Sequence, residues 1–207
     1  MKSHQRLIDA AALPGAAERL AQAAAARETL QARGYRAIGL DHFALPDDAL
    51  CTAAEAGALR RNFQGYTTDA SDALIGLGAS SIGRLPQGFV QNATDVAGWR
   101  RSVESGLPPI ARGVAVTADD RLRADVIERL MCDCAVDYGA LALAAMGDAG
   151  ALDDASDALD ALARDGVLAR DGRSIRMTPE GAPFVRLAAA AFDAYLAAAK
   201  ARHSAAV

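Results

Sequence analysis

Tyr35-Arg36-Ala37-Ile38-Gly39-Leu40-Asp41-His42 is the stretch on which the fold class turns. It is short, partly alternating and ends in two polar groups, the pattern of a strand that delivers side chains at its end. Before it, Ala16 to Arg33 is dense in Ala, Leu, Glu, Gln and Arg, which lose little entropy in a helix, and Gly34 supplies the stop. After it, Pro46-Asp47-Asp48 opens a helix to about Leu59, with acidic groups in the first turn where the helix dipole favours them. Helix, strand, helix marks an α/β protein.

The chain has 207 residues, 52% hydrophobic and 23% charged, with a net charge of −4, enough length and apolar content to bury a real core. No run of about 18 apolar residues occurs, which excludes a membrane-spanning helix. Met1 to Arg6 lacks the apolar segment of a signal peptide, and three cysteines cannot all pair with one another. These features place the chain in the cytoplasm with reduced thiols. The mild acidic balance argues against nucleic acid, whose phosphates require clustered Lys and Arg.

Two further strands are expected, Asn62 to Thr68 and Ala73 to Ala79, the second buried on both faces, followed by a loop from Ser80 to Gly88. A helix from Thr94 to about Glu104 carries Trp99 and breaks at Gly106 and Pro108-Pro109, which sets a boundary between domains 1–110 and 111–207. Beyond it Arg112 to Val116 can extend. Thr117-Ala118-Asp119-Asp120 resembles a capping box that starts a helix to about Val136. From Asp153 the pattern is helix, Gly166, strand (Val167 to Arg170), Asp171-Gly172 turn, strand (Ser174 to Thr178), and a helix from Pro179 to Lys200. Helix, hairpin, helix at this spacing is a winged-helix-like unit.

Asn62-Phe63-Gln64-Gly65-Tyr66-Thr67-Thr68 sets amide, aromatic and hydroxyl groups in a row beside a glycine that admits close approach, either the lining of a site or a solvated edge strand. Gly76-Leu77-Gly78-Ala79-Ser80-Ser81-Ile82-Gly83 is either a seat for a nucleotide-like ligand or a tight turn, and its spacing is not the dinucleotide fingerprint. Asp41-His42 suits acid–base or orienting work, with a hydrogen-bonded structural histidine as the plainer reading. Cys132 and Cys134, one residue apart in a helix, turn their thiols to different faces, and with Cys51 they read as packing residues that cannot close a metal site.

Three runs in this order, Gly39-Leu40-Asp41-His42-Phe43-Ala44-Leu45-Pro46-Asp47-Asp48, Arg61 to Thr68 and Gly76 to Gly83, followed by Gln91-Asn92, resemble oxygen-independent coproporphyrinogen III oxidase, a radical S-adenosylmethionine family. The similarity continues through Arg112-Gly113, Thr117 and Asp125-Val126-Ile127. It implies an incomplete (β/α) TIM-like barrel followed by a mainly helical domain, and a [4Fe-4S] cluster that generates a 5′-deoxyadenosyl radical from S-adenosylmethionine. The radical converts propionates of coproporphyrinogen III to vinyl groups, giving protoporphyrinogen IX. The family's C-x-x-x-C-x-x-C loop does not occur here, so the chain resembles the carboxy-terminal part alone, expected to be inactive by itself and to expose an unpaired edge on the Tyr35 to Leu40 strand.

By the same resemblance Ile82 packs on the cofactor bound at the cluster, and Phe63 and Gln64 stand near the active site. Asp41 and His42 fall in a matching motif without an assigned role. The implied partners are coproporphyrinogen III and S-adenosylmethionine, in a monomeric enzyme without nucleic acid or membrane. Two alternatives stand beside it, a winged-helix binding module and a haem-binding paralogue without oxidase activity. Asp153, Asp154, Asp157, Asp160 and Asp165 weigh against duplex binding by the module.

Overall fold

The computed structural model describes residue 9 and residues 12–196. Helix α1 (Ala16–Ala32) starts where the Glu18 carboxylate accepts from the Gly15 N–H at 2.9 Å, and it ends at Gly34, whose φ is +88°. The strand expected at Tyr35 to Leu40 is instead the first arm of a hairpin. β1 (Arg36–Ile38) pairs antiparallel with β2 (His42–Ala44), Ile38 opposite His42. Gly39 makes the reversal, with φ at +56° and no room for a Cβ against the Tyr66 ring. Asp48 then caps α2 (Ala49–Glu55) by accepting from the Leu50 N–H.

A second hairpin replaces the single strand expected at Asn62 to Thr68: β3 (Arg60–Asn62) pairs with β4 (Gly65–Thr67), leaving Phe63-Gln64 at the turn. The segment Ala73 to Ala79 is not a buried strand. Ile75 and Leu77 are 75% and 86% exposed, and Leu74 makes only an isolated bridge with Arg84. Left-handed Gly78 and Ser80 coil the backbone away from extended pairing. The sheet forms just beyond, partly in the stretch expected to be loop: β5 (Ile82–Leu85), β6 (Gly88–Asn92) and, after α3 (Val96–Glu104), β7 (Ile110–Ala115), in the order β5-β6-β7. β7 begins at the 110/111 division.

Thr117 and Asp120 form the expected capping box at α4 (Ala118–Asp133). This helix ends earlier than Val136, because Cys134 turns left-handed at φ 55° and β8 (Ala135–Asp137) follows. α5 (Tyr138–Met146), capped by Asp137, was not expected: its string of Ala and Leu is apolar all round and shows no helical stripe. α6 (Ser156–Arg164) precedes the anticipated hairpin of β9 (Leu168–Asp171) and β10 (Ser174–Met177), which turns through Gly172 and forms the sheet β8-β10-β9. The last helix starts late, behind Gly181 and Pro183, as α7 (Val185–Ala190), and the end expected at Lys200 lies outside the described residues. All pairings among named strands are antiparallel, and among the described residues no sheet closes into a barrel, so the expected barrel portion is not seen as such.

Two cores result. The larger gathers Leu122, Val126, Tyr138, Leu159 and Phe192, and the smaller gathers Ile38, Cys51, Leu59, Tyr66 and Cys132. The Tyr66 hydroxyl stitches the hairpins to α4, accepting from the Leu40 N–H at 2.9 Å and donating to the Met131 carbonyl at 2.8 Å. Cys132 belongs to the smaller core while Cys134 packs on the larger; the thiols face different ways as expected, although Cys134 lies just past the helix end and not within it. Burial pushes the Cys132 thiol up to about 12, so it stays protonated and inert.

Candidate functional site

Antiparallel register puts Ile82 opposite Gln91 and Gln91 opposite Arg112, while Arg84, Phe89 and Val114 line up two residues along the same face. The Phe63 ring, carried on the β3–β4 turn, meets the Phe89 ring edge-on with centroids 5.7 Å apart. Phe63, Ile82, Phe89, Gln91 and Arg112 thereby line one recess of about 400 Å³. Phe63 and Ile82, far apart in sequence and on different sheets, come together there.

Gln64 stands beside Phe63 at the hairpin turn, exposed, with its backbone N–H donating to Asn62 Oδ1 at 2.9 Å. Its side chain is not part of the recess lining. Asp41 and His42 stand behind the hairpin: Asp41 Oδ1 lies 2.9 Å from His42 Nδ1, and the imidazole meets the Tyr66 ring edge-on at 5.0 Å. A Cβ at residue 65 would collide with that imidazole, so Gly65 is required for His42 to lie against the hairpin backbone. His42 thus braces the strand that follows Phe63-Gln64 and lies outside the recess.

The glycine-rich run is held by a residue whose role the sequence did not disclose. Asn92, 7% exposed, donates from Nδ2 to the carbonyls of Gly76 and Gly78 at 3.0 and 2.9 Å. Those bonds fix the loop that enters β5 at Ile82. Gln91 does parallel work, donating to the Ser80 carbonyl while its Oε1 accepts from Arg112 Nε at 2.7 Å. An isolated Gln-Asn pair in a sequence carries no mark of this, because the acceptors are backbone carbonyls brought in by tertiary folding. Arg112, held through its Nε by Gln91, lines the recess beside an apolar floor.

The same face continues beyond Phe89 and Val114, which line both the recess and a larger compartment of about 800 Å³ between the sheet, α4 and the segment Phe192 to Tyr195. Among the described residues no group of three or more His, Cys, Asp or Glu is arranged to hold a metal ion. No helix among them is long and apolar enough to cross a membrane. The chemistry offered is apolar contact together with amide and guanidinium hydrogen bonding.

The chain is similar over most of its length to known proteins. Residues 116–184 match the family model of the HemN C-terminal domain. The oxygen-independent coproporphyrinogen III oxidase of Bradyrhizobium diazoefficiens is 45% identical over 206 residues, covering 100% of this chain and 46% of the relative. The enzyme of the same name from Pseudomonas aeruginosa is 38% identical, covering 93% and 42%. Among solved structures, coproporphyrinogen III oxidase (HemN) from Escherichia coli, described as a radical SAM enzyme, superposes with a TM-score of 0.85 at 35% identity, covering 93% of this chain and 44% of that one. The chain spans under half the length of the relatives it matches.

Proposed function

We propose that this chain, similar throughout to the carboxy-terminal portion of oxygen-independent coproporphyrinogen III oxidases, forms one wall of the active site of such an enzyme. The reaction is the oxidative decarboxylation of coproporphyrinogen III propionates to vinyl groups, giving protoporphyrinogen IX. The observation that carries this reading is the convergence of Phe63 and Ile82 on one recess.

The recess suits an adenosyl group: an aromatic ring and a branched aliphatic chain flank an apolar floor, with Gln91 and Arg112 at its polar end. S-adenosylmethionine, when bound, supplies the hydrogen-abstracting radical. The side chains of this chain do the rest of the work ascribed to it. Ile82 and Phe63 pack on the ligand and keep water from it, Gln64 offers an amide to a cofactor or a carboxylate, and the Gln91–Arg112 bond holds the guanidinium in place. A [4Fe-4S] cluster does not fit the cysteines of this chain. Cys51 and Cys132 are buried in the smaller core, and Cys134 faces the larger one.

The same reading treats 1–110 as the end of the barrel portion and 111–207 as the helical domain. The larger core is formed by residues beyond that division, while the smaller core draws on both sides of it through Cys132, and β7 joins the sheet of β5 and β6. The order α4, β8, α5, α6, β9, β10 with sheet order β8-β10-β9 supports a winged-helix-like description of the second. Arg123, Arg170 and Arg173 are each paired to an aspartate there, so the charge of these three is already neutralised locally.

The test joins this chain to the amino-terminal portion of the Bradyrhizobium diazoefficiens relative, reconstitutes the cluster anaerobically and follows carbon dioxide release from coproporphyrinogen III. Turnover is expected from the joined protein and none from the chain by itself. A folded, cluster-loaded protein that releases no carbon dioxide overturns the proposal, and one that retains haem instead is the haem-binding paralogue.

A further inference from the structure

We infer that Arg84 and Arg121 are specificity-determining residues of the larger compartment, gripping the carboxylates of a large polycarboxylate ring compound whose apolar body lies over Phe89 and Val114. This rests on the function proposed above and assigns residues to it. Three observations support it.

The first is continuity. Ile82 and Arg84 stand two residues apart on one face of β5, Phe89 pairs with Arg84, and Val114 pairs with Phe89. A molecule lying on that face reaches from the Ile82 recess into the larger compartment without crossing the sheet. The second is volume. At about 800 Å³ the compartment is twice the size of the recess, in the range that encloses a ligand larger than a nucleoside.

The third is the state of the arginines. Arg123, which lines the same compartment, is spent on Asp119 and Asp154 at 2.8 and 2.9 Å, and its remaining bond goes to the Phe192 carbonyl. Arg84 and Arg121 differ. Each donates one bond to a neutral backbone carbonyl, Arg84 to Ser71 at 3.0 Å and Arg121 to Pro86 at 3.2 Å, and neither pairs with a carboxylate among the described residues. A guanidinium has five donors, so each keeps a fork to offer an anion while the carbonyl bond steadies it.

Of the acidic groups in the same walls, Asp72, Asp120, Asp125 and Asp193, none forms an ion pair with either arginine among the described residues. Asp120 is committed to Thr117 and to the Tyr195 hydroxyl. Burial and neighbouring Glu128 push the Asp125 carboxyl up, while the charges of Arg60, Arg129 and Arg84 pull it down. Asp72 is exposed. Arginine suits a planar carboxylate better than lysine does, since its fork binds both oxygens at once.

The experiment titrates the chain with coproporphyrin III, the fluorescent oxidised form with four carboxylates, and compares Arg84→Gln, Arg121→Gln, the double variant and, as a control on α3, Arg101→Gln. Each single change in the compartment is expected to weaken binding about tenfold and the double change about a hundredfold, as for lost hydrogen bonds to charged groups. Arg101→Gln should bind as the parent does, and Arg84→Lys should recover part of the loss. Melting curves of all variants confirm that folding is intact. Absence of saturable binding by the parent chain, or unchanged affinity in the double variant, overturns the assignment. In the joined protein the double variant should raise KM for coproporphyrinogen III about a hundredfold with kcat little changed. Turnover with an unchanged KM refutes the role of the arginines and leaves the proposed function standing, whereas no turnover in the parent refutes the function and leaves the titration to decide the arginines.

Discussion

The unit from Thr117 to Phe192 and the sheet β5-β6-β7 are built from the same kinds of residue and end in opposite conditions. In the first, Leu122, Val126, Tyr138, Leu159 and Phe192 close around one another and are at most 2% exposed. In the second, every residue of β7 is exposed, and Val114, Ile82 and Phe63 leave 57%, 36% and 55% of their surfaces to solvent. The difference teaches where each region gets its order. The helical unit is held by its own apolar burial. The sheet is held by backbone pairing and by polar ties such as Asn92 to Gly76 and Gly78, which leaves its apolar face available to something else.

The contrast is broken most forcefully inside the helical unit. Leu159→Ala removes a side chain with no solvent exposure and should cost about 2–5 kcal/mol of folding stability, measured by denaturant unfolding. A loss under 1 kcal/mol would mean the core is looser than its packing implies.

A smaller effect is expected at the junction of the two regions. Thr117→Ala takes away the hydroxyl that accepts from the Asp120 N–H and donates to its carboxylate, and should cost about 1 kcal/mol. The Thr117 backbone N–H first, then its hydroxyl and that of Tyr195, hold Asp120 below its ordinary 3.8. A carboxylate held low contributes stability above its ordinary value and loses it as pH falls through the lower folded value. The parent should therefore lose this contribution below about pH 4, and the variant should show a shallower acid loss in melts taken across that range.

The smallest stability change belongs to the sheet. Phe63→Ala forfeits one edge-on contact with Phe89 and should lower folding stability by less than about 1 kcal/mol, because the ring is mostly solvated already. The same change should abolish binding in the recess, read as loss of S-adenosylmethionine retention by the joined protein. Unchanged retention would remove Phe63 from the site.

Legibility followed the range of the forces involved. The Thr117 box, the Gly34 stop and the turn through Gly172 were readable because each is decided within a few residues. α5 was not, since a helix apolar on all sides has no stripe to reveal it. The run Ala73 to Ala79 misled for a related reason. An apolar segment with glycines resembles a buried strand, and only the left-handed turns at Gly78 and Ser80 show that it coils instead. Of the candidate residues, Phe63 and Ile82 were named from a resemblance, and that they share a recess follows from the register of β5, β6 and the hairpin beside them. Arg84, Arg112 and Arg121 were silent. An arginine's availability depends on whether a carboxylate reaches it in space.

The sequence by itself determined the α/β class, the carboxy-terminal hairpin and most helix starts, because propensity, caps and turn residues act locally. It determined as well that no cluster-binding cysteine loop occurs in this stretch. Tertiary structure alone decided that two expected strands are hairpins, that β6 draws β7 across a helix into one sheet, and which arginines are spent on carboxylates. Those outcomes depend on pairing and charge neutralisation between residues tens of positions apart, and no local pattern encodes such distances.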